Sequence, residues 1–124
     1  GLRRYGQQVM GTAEESRPRT FHFFMSHLHW DHIMGFPFFP PAYIPGNTIH
    51  IYGGHPLAVQ KEAFRRQQST PCFPVQWDQL GAEIHFTRLE TGRWNPVNGE
   101  YHASPSPPTV CASAARSTRH LGTT

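Results

Sequence analysis

The sequence predicts an α/β fold, and three observations carry that prediction. An aromatic, extended-favouring run at residues 20–26 reads as a buried strand, and residues 48–52 read as a second strand by their alternation. A helical stretch over residues 57–68 separates that second strand from a third at 82–89. Strand, helix and strand in alternation mark the α/β class. A chain of 124 residues is long enough for one small domain with a real core, and it contains no internal repeat.

Taken in order, Leu2 to Met10 is expected to form a short helix, followed by a polar connection with Glu14, Glu15, Ser16 and Pro18. The strand Thr20–Ser26 leads into a histidine-rich loop, after which Asp31 is placed to cap a helical turn from His32 to Gly35. The run from Phe36 to Pro45 contains four prolines, which deny it backbone donors, so no regular structure is expected there. Gly46-Asn47 signals a turn before the strand Thr48–Tyr52, which Gly53-Gly54 closes. Pro56 suits a first helical position. Leu57, Ala58, Val59, Ala63 and Phe64 then supply an apolar face, and Arg65 and Arg66 fall near the helix C-terminus, where the dipole favours cations. Pro71-Cys72-Phe73-Pro74 ends that helix, and residues 75–81 read as a loop or short helical turn.

The chemistry concentrates in His27-Leu28-His29-Trp30-Asp31-His32. Three histidines and an aspartate this close together suit metal ligation better than a core or a solvated surface. Side chains two apart on an extended chain face the same way, so His27 and His29 are expected to share one ion. Asp31 and His32 would come round the turn to face a second. Imidazole and carboxylate favour zinc, with manganese or iron less specifically.

The His-x-His-x-Asp-His pattern, with Gly35 shortly after, resembles the metal-binding signature of the metallo-β-lactamase-fold hydrolases. Residues 26–39 are closest to the ribonuclease Z-like and phosphodiesterase-like branch, and the resemblance extends from about Gly1 to about Gly99. It implies a partial, truncated αββα sandwich over residues 1–100. Gly1–Gly6 would be the helix that follows a first strand, and the chain would be the N-terminal portion of a domain roughly twice as long. His27 and His29 would bind a first metal and Asp31 and His32 a second, with a metal-held hydroxide attacking a small-molecule or nucleotide phosphodiester. Asp31 would also orient the nucleophile or shuttle a proton. Such a site further needs another histidine for the first metal, a bridging aspartate and another histidine for the second. Beyond Gly99 there is no aspartate, and the histidines are His102 and His120. His102 is the candidate additional ligand. Two-metal hydrolysis by this chain alone is therefore expected to be impaired, and one weak site made by His27, His29, Asp31 and His32 is the preferred expectation.

From Tyr101 to Thr124 there are no acidic residues, and Ala, Ser, Thr and Pro make up 15 of 24 positions. Too little apolar surface is present to offset ordering entropy, so residues 101–124 are expected to be a disordered or out-of-frame tail, or a natural low-complexity terminus. An incomplete sandwich would leave one sheet face uncovered, so marginal stability is expected.

A net charge of +3 from ten arginines, one lysine and eight acids forms no basic stripe, so charge gives no support for nucleic-acid binding. Cys72 and Cys111 are far apart and in unlike contexts, which reads as two free thiols in a reducing compartment and makes the cytoplasm the default. No run is apolar and long enough to span a membrane. The cysteines do not pair with histidines at zinc-finger spacing. His22, His50 and His85 read as structural strand residues and His55 as a turn or cap. Arg65 and Arg66 can touch phosphate or simply line a solvated helix face. Phe36, Phe38, Phe39 and Tyr43 read as core, as a substrate mouth, or as an exposed patch driving self-association. A non-catalytic, metal-binding or self-associating fragment is the alternative to the hydrolase.

Overall fold

The computed structural model describes residues 1–11, 18–25, 27–90, 92, 94–97, 100–103 and 114–118. Helix α1 (Leu2–Met10) is followed by strand β1 (Thr20–Met25), the single-turn helix α2 (Trp30–Ile33), strand β2 (Thr48–Gly53), helix α3 (Leu57–Gln67) and strand β3 (Glu83–Arg88). Strands β4 (Trp94–Val97), β5 (Glu100–Ala103) and β6 (Ala114–Thr118) complete the chain. Three adjacent strands of the four-stranded sheet, in the order β3-β2-β1, are parallel, so the α/β class read from the alternation of elements holds. β1 pairs with β2 from Thr20↔Thr48 to Met25↔Gly53, and β2 pairs with β3 from Thr48↔Glu83 to Gly53↔Arg88. β4 and β5 form a separate two-stranded antiparallel sheet.

Residues 101–103 and 114–118, within the segment expected to lack order, are strands. β6 lies antiparallel along the free edge of β1, from Thr20↔Thr118 to Phe24↔Ala114. Edge pairing is made through the backbone, so a segment poor in apolar anchors can still satisfy an open row of β1 donors and acceptors. The remainder of that tail, Cys111 included, lies outside the described residues.

The period-2 alternation of the strands separates two faces. Phe21, Phe23, Met25, Ile49 and Ile51 enter the main core with Ile33, Phe36, Phe39, Ala42 and Phe64. Leu2, Tyr5 and Val9 of α1 pack against that core at helical spacing. On α3 the inward positions are Gln60 and Phe64, while Leu57 and Val59 are exposed. The apolar face expected from Leu57 to Val59 is thus displaced. Gln60 Nε2 donates to the Gly53 carbonyl at 3.1 Å and to the His55 carbonyl at 2.6 Å, which sets the rotation of the helix. Pro56 is the residue before the helix rather than its first.

The proline-rich run is regular after all. Phe36–Phe38 and Pro40–Tyr43 are 3₁₀ turns with proline at the first or second position of each. A donor is not needed there, which is why proline is tolerated. Phe36 and Phe39 are fully buried and Tyr43 is half-buried, its hydroxyl donating to the Pro37 carbonyl; of the aromatic residues in the run only Phe38 is exposed. Of the readings open for these aromatic residues, core is the one that holds for all but Phe38, because the two turns aim alternate aromatic rings at β1.

Gly6 lies where α1 crosses these turns. A Cβ there would fall 2.7 Å from Pro40 Cδ and 2.8 Å from Phe39 Cδ2. Alanine ordinarily stabilises a helix interior by about 1 kcal/mol relative to glycine. Here overpacking, of about 1–3 kcal/mol, opposes it, and neither a proline ring nor a fully buried phenyl can move away. Gly6→Ala is expected to lower the thermal midpoint; a raised midpoint would show that α1 can shift.

The second sheet face carries a row of rings. His22, His50 and His85 occupy register positions on β1, β2 and β3. His22 stacks on His50 with centroids 4.9 Å apart, and His50 on His85 at 5.2 Å. Buried His22 shares a 2.9 Å hydrogen bond between Nδ1 and the Tyr52 hydroxyl, and Glu83 Oε1 lies 2.9 Å from His85 Nε2. The structural reading of these histidines agrees with this placement. Partial burial, then the neighbouring His85, hold the His50 pKa below the ordinary histidine value, against the opposing pull of Glu83. The unfolded chain therefore takes up a proton at His50 at higher pH than the folded chain does. Stability from this residue is full above about pH 6.5 and is lost as pH falls through the folded pKa. The urea midpoint of metal-free protein is expected to drop between pH 7.5 and pH 5, and His50→Gln should flatten that dependence.

Candidate metal centre

Parallel strands in register bring their C-terminal ends to one edge of the sheet, the side on which open α/β sheets place their ligands. β1 ends at Met25, β2 at Gly53 and β3 at Arg88, and Leu89 N–H donates to the Gly53 carbonyl at 2.8 Å. The histidine-rich loop leaves β1 at this edge. Its second half becomes α2 because His32 N–H donates to the His29 carbonyl at 2.9 Å and Met34 N–H to the Trp30 carbonyl at 2.9 Å. Gln67 Nε2 of α3 donates to the Ile33 carbonyl at 2.8 Å, fixing α2 against the long helix. The helical turn begins earlier than expected. His29 precedes it, no side chain caps it, and Asp31 lies inside its first turn. Asp31 is thus not a cap; its carboxylate is turned to its neighbour, with Oδ2 3.2 Å from His32 Nε2.

His27, Asp31 and His32 each offer one ligand atom, and all of these lie within 4.8 Å of one another. Donors each about 2.0–2.2 Å from a common ion stand at most about 4.4 Å apart, so small side-chain rotations bring the three onto one ion. The His27 and His32 rings are already 4.1 Å apart between centroids. His29 stands edge-on to His27 at 4.5 Å but is not a member of the group. The sequence leaves open two pairs of ligands or one site shared by His27, His29, Asp31 and His32; the structure groups His27, Asp31 and His32, because α2 turns Asp31 and His32 back toward His27.

Partial burial and then the imidazoles of His32 and His29 hold the His27 pKa below the ordinary value, while Asp31 pulls the other way and His55 adds a smaller lowering effect. A neutral imidazole is the ligating form, so the lowered pKa reduces the competition of protons for the ring nitrogen. Asp31 is largely exposed, His32 has 23% of its side-chain surface exposed, and His27 is half-buried, so the group can be reached from solvent.

His102 lies on β5, opposite Asn95 of β4, in the two-stranded sheet. Arg65 and Arg66 do have acidic neighbours: Asp78 Oδ1 at 3.4 Å and Glu62 Oε1 at 2.9 Å. They form the solvated helix face that was one of their two expected roles. His55, read from the sequence as a turn residue, is exposed and sits close enough to influence His27. The signal for it was its place immediately after β2, since neighbouring parallel strands deliver their following loops to the same edge. Among the described residues no helix is long and apolar enough to cross a membrane.

These features define a mixed α/β protein with a candidate metal centre at the C-terminal edge of its parallel strands. Comparison with family models, with curated proteins and with solved structures gave no match.

Proposed function

We propose that this chain is part of a metal-dependent hydrolase of the metallo-β-lactamase fold that acts on phosphodiester bonds. The observation that carries the reading is the convergence of His27, Asp31 and His32 at the sheet edge. His27, Asp31 and His32 would hold zinc, with manganese or iron as alternatives. A bound divalent ion would supply Lewis acidity at a phosphoryl oxygen and acidify water at neutral pH. The residues have separable tasks. His27 and His32 would hold the ion as neutral imidazoles, and Asp31 would neutralise charge, its exposed carboxylate being the group available to accept a proton from a nucleophile.

The supporting experiment combines metal analysis with turnover. Zinc content per chain is measured by mass spectrometry, and hydrolysis of bis(p-nitrophenyl) phosphate is followed with and without chelator. Weak zinc-dependent turnover that disappears with chelator and in Asp31→Ala is the expected result, in keeping with a partial set of ligands. Zinc bound at His27 with no hydrolysis would instead support a non-catalytic metal-binding protein, and no bound metal would sink both readings.

A further inference from the structure

A cavity of about 550 Å³ opens between α1 and the metal loop, lined by Arg3, Arg4, Gln7, Asp31, His32 and Met34 among others. Two of the three candidate ligands therefore share a wall with two arginines. The volume lies within the range of small-molecule sites, roughly 300–1,000 Å³. α1 can approach the loop this closely because Gly35 has no side chain; a Cβ there would stand 3.3 Å from Leu2 Cβ.

The charge in this cavity is unbalanced. α1 contains no acidic residue, so neither arginine has a carboxylate one turn away. Among the described residues Arg3 and Arg4 enter no ion pair, in contrast to Arg65 and Arg66. Arg3 is held in position by the face of Phe38, whose ring centre is 5.5 Å from its guanidinium carbon. That contact restrains the side chain while leaving its N–H donors without an anionic acceptor. Asp31 is the carboxylate at the cavity, and a cation on His27, Asp31 and His32 would neutralise it.

We propose that this cavity is an anion subsite in which Arg3 and Arg4 hold a phosphoryl group of a phosphorylated small molecule of up to nucleotide size, next to the metal centre. The guanidinium fork matches phosphate oxygens in bidentate geometry. Met34 and Leu2 supply the less polar part of the lining. The metal beside the subsite rests on the reading proposed above; the arginine pair and the cavity do not.

The test measures two bindings separately on the full chain: zinc alone, and inorganic phosphate with zinc present and absent. The variants are Arg3→Gln with Arg4→Gln, Arg4→Gln alone, and Arg65→Gln with Arg66→Gln as control. Arg4→Gln leaves the Arg3–Phe38 contact intact, so it reports on the subsite even if the double variant disturbs α1. Phosphate binding is expected to weaken at least 10-fold in the double variant and about 3-fold in Arg4→Gln. Zinc affinity should stay unchanged, and the control should bind phosphate as wild type does. Equal phosphate binding by wild type and both Arg3 and Arg4 variants would overturn the subsite, as would no phosphate binding in either metal state. Phosphate binding that is sensitive to Arg3 and Arg4 in a chain that takes up no zinc would uphold the subsite and sink the metal reading.

Discussion

Replacing Phe39 with alanine is expected to cost about 3–5 kcal/mol of folding stability, the range for truncating a buried aromatic ring. Phe39 has no exposed surface, and its ring meets Phe21 edge-on at 5.1 Å, Phe23 edge-on at 5.1 Å and Tyr5 in parallel at 6.0 Å. Each such pair adds about 0.5–1.5 kcal/mol beyond simple burial. Relaxation into the space left behind is limited. Phe39 is the link between the two 3₁₀ turns, ending one and beginning the other, and Pro37, Pro40 and Pro41 stiffen both. Domains of this size hold about 5–15 kcal/mol in total, so the loss is a large fraction of what keeps the chain folded. Urea unfolding at pH 7.5 checks it: the midpoint of Phe39→Ala should fall steeply, and Phe39→Leu should recover more than half of the loss. A change below about 1 kcal/mol would mean that the aromatic cluster can repack around α1.

The strands and long helices were legible because their signals are local. Phe21, Phe23 and Met25 share one face of β1 by alternation alone, and helical spacing suffices to place Leu2, Tyr5 and Val9 on one side of α1. The proline-rich run was misread because counting missing donors treats every proline as a breaker, whereas Pro37, Pro40 and Pro41 fall in the short turns where donors are not required. Asp31 was misread as a cap because the pattern shows which residue types are near a helix start but not which residue begins it. The proximity of His27, Asp31 and His32 was legible from their spacing, while the position of His29 just outside that group was not; it depends on where α2 begins and how Gln67 fixes it through the Ile33 carbonyl. Arg3, Arg4 and His55 were illegible as neighbours of the site for a further reason. Their proximity comes from pairing across the sheet and from α1 packing on the 3₁₀ turns, contacts that no short window of sequence contains.

The same geometry separates two histidines that the spacing treats alike. If His27 and His29 jointly held one ion, alanine at either position would weaken zinc binding equally. The observed trio makes a different demand: His27→Ala removes one of three converging donors, and His29→Ala removes a ring beside the group. Outer partners of metal ligands are worth roughly 10–100-fold in affinity, so losing a direct ligand should exceed that. His27→Ala and His32→Ala are expected to weaken zinc binding by more than about 100-fold, and His29→Ala by about 10-fold or less, in competition with a chromogenic chelator at pH 7.5. His29→Ala also removes an imidazole that holds the His27 pKa down. Its zinc affinity should therefore fall off at somewhat higher pH than that of wild type, because His27 then competes for protons more strongly. Equal losses at positions 27 and 29 would return His29 to the coordination sphere and show that the loop rearranges on taking up metal. Unequal losses would mean that the turn of α2, rather than the alternation of an extended chain, decides which side chains meet the ion.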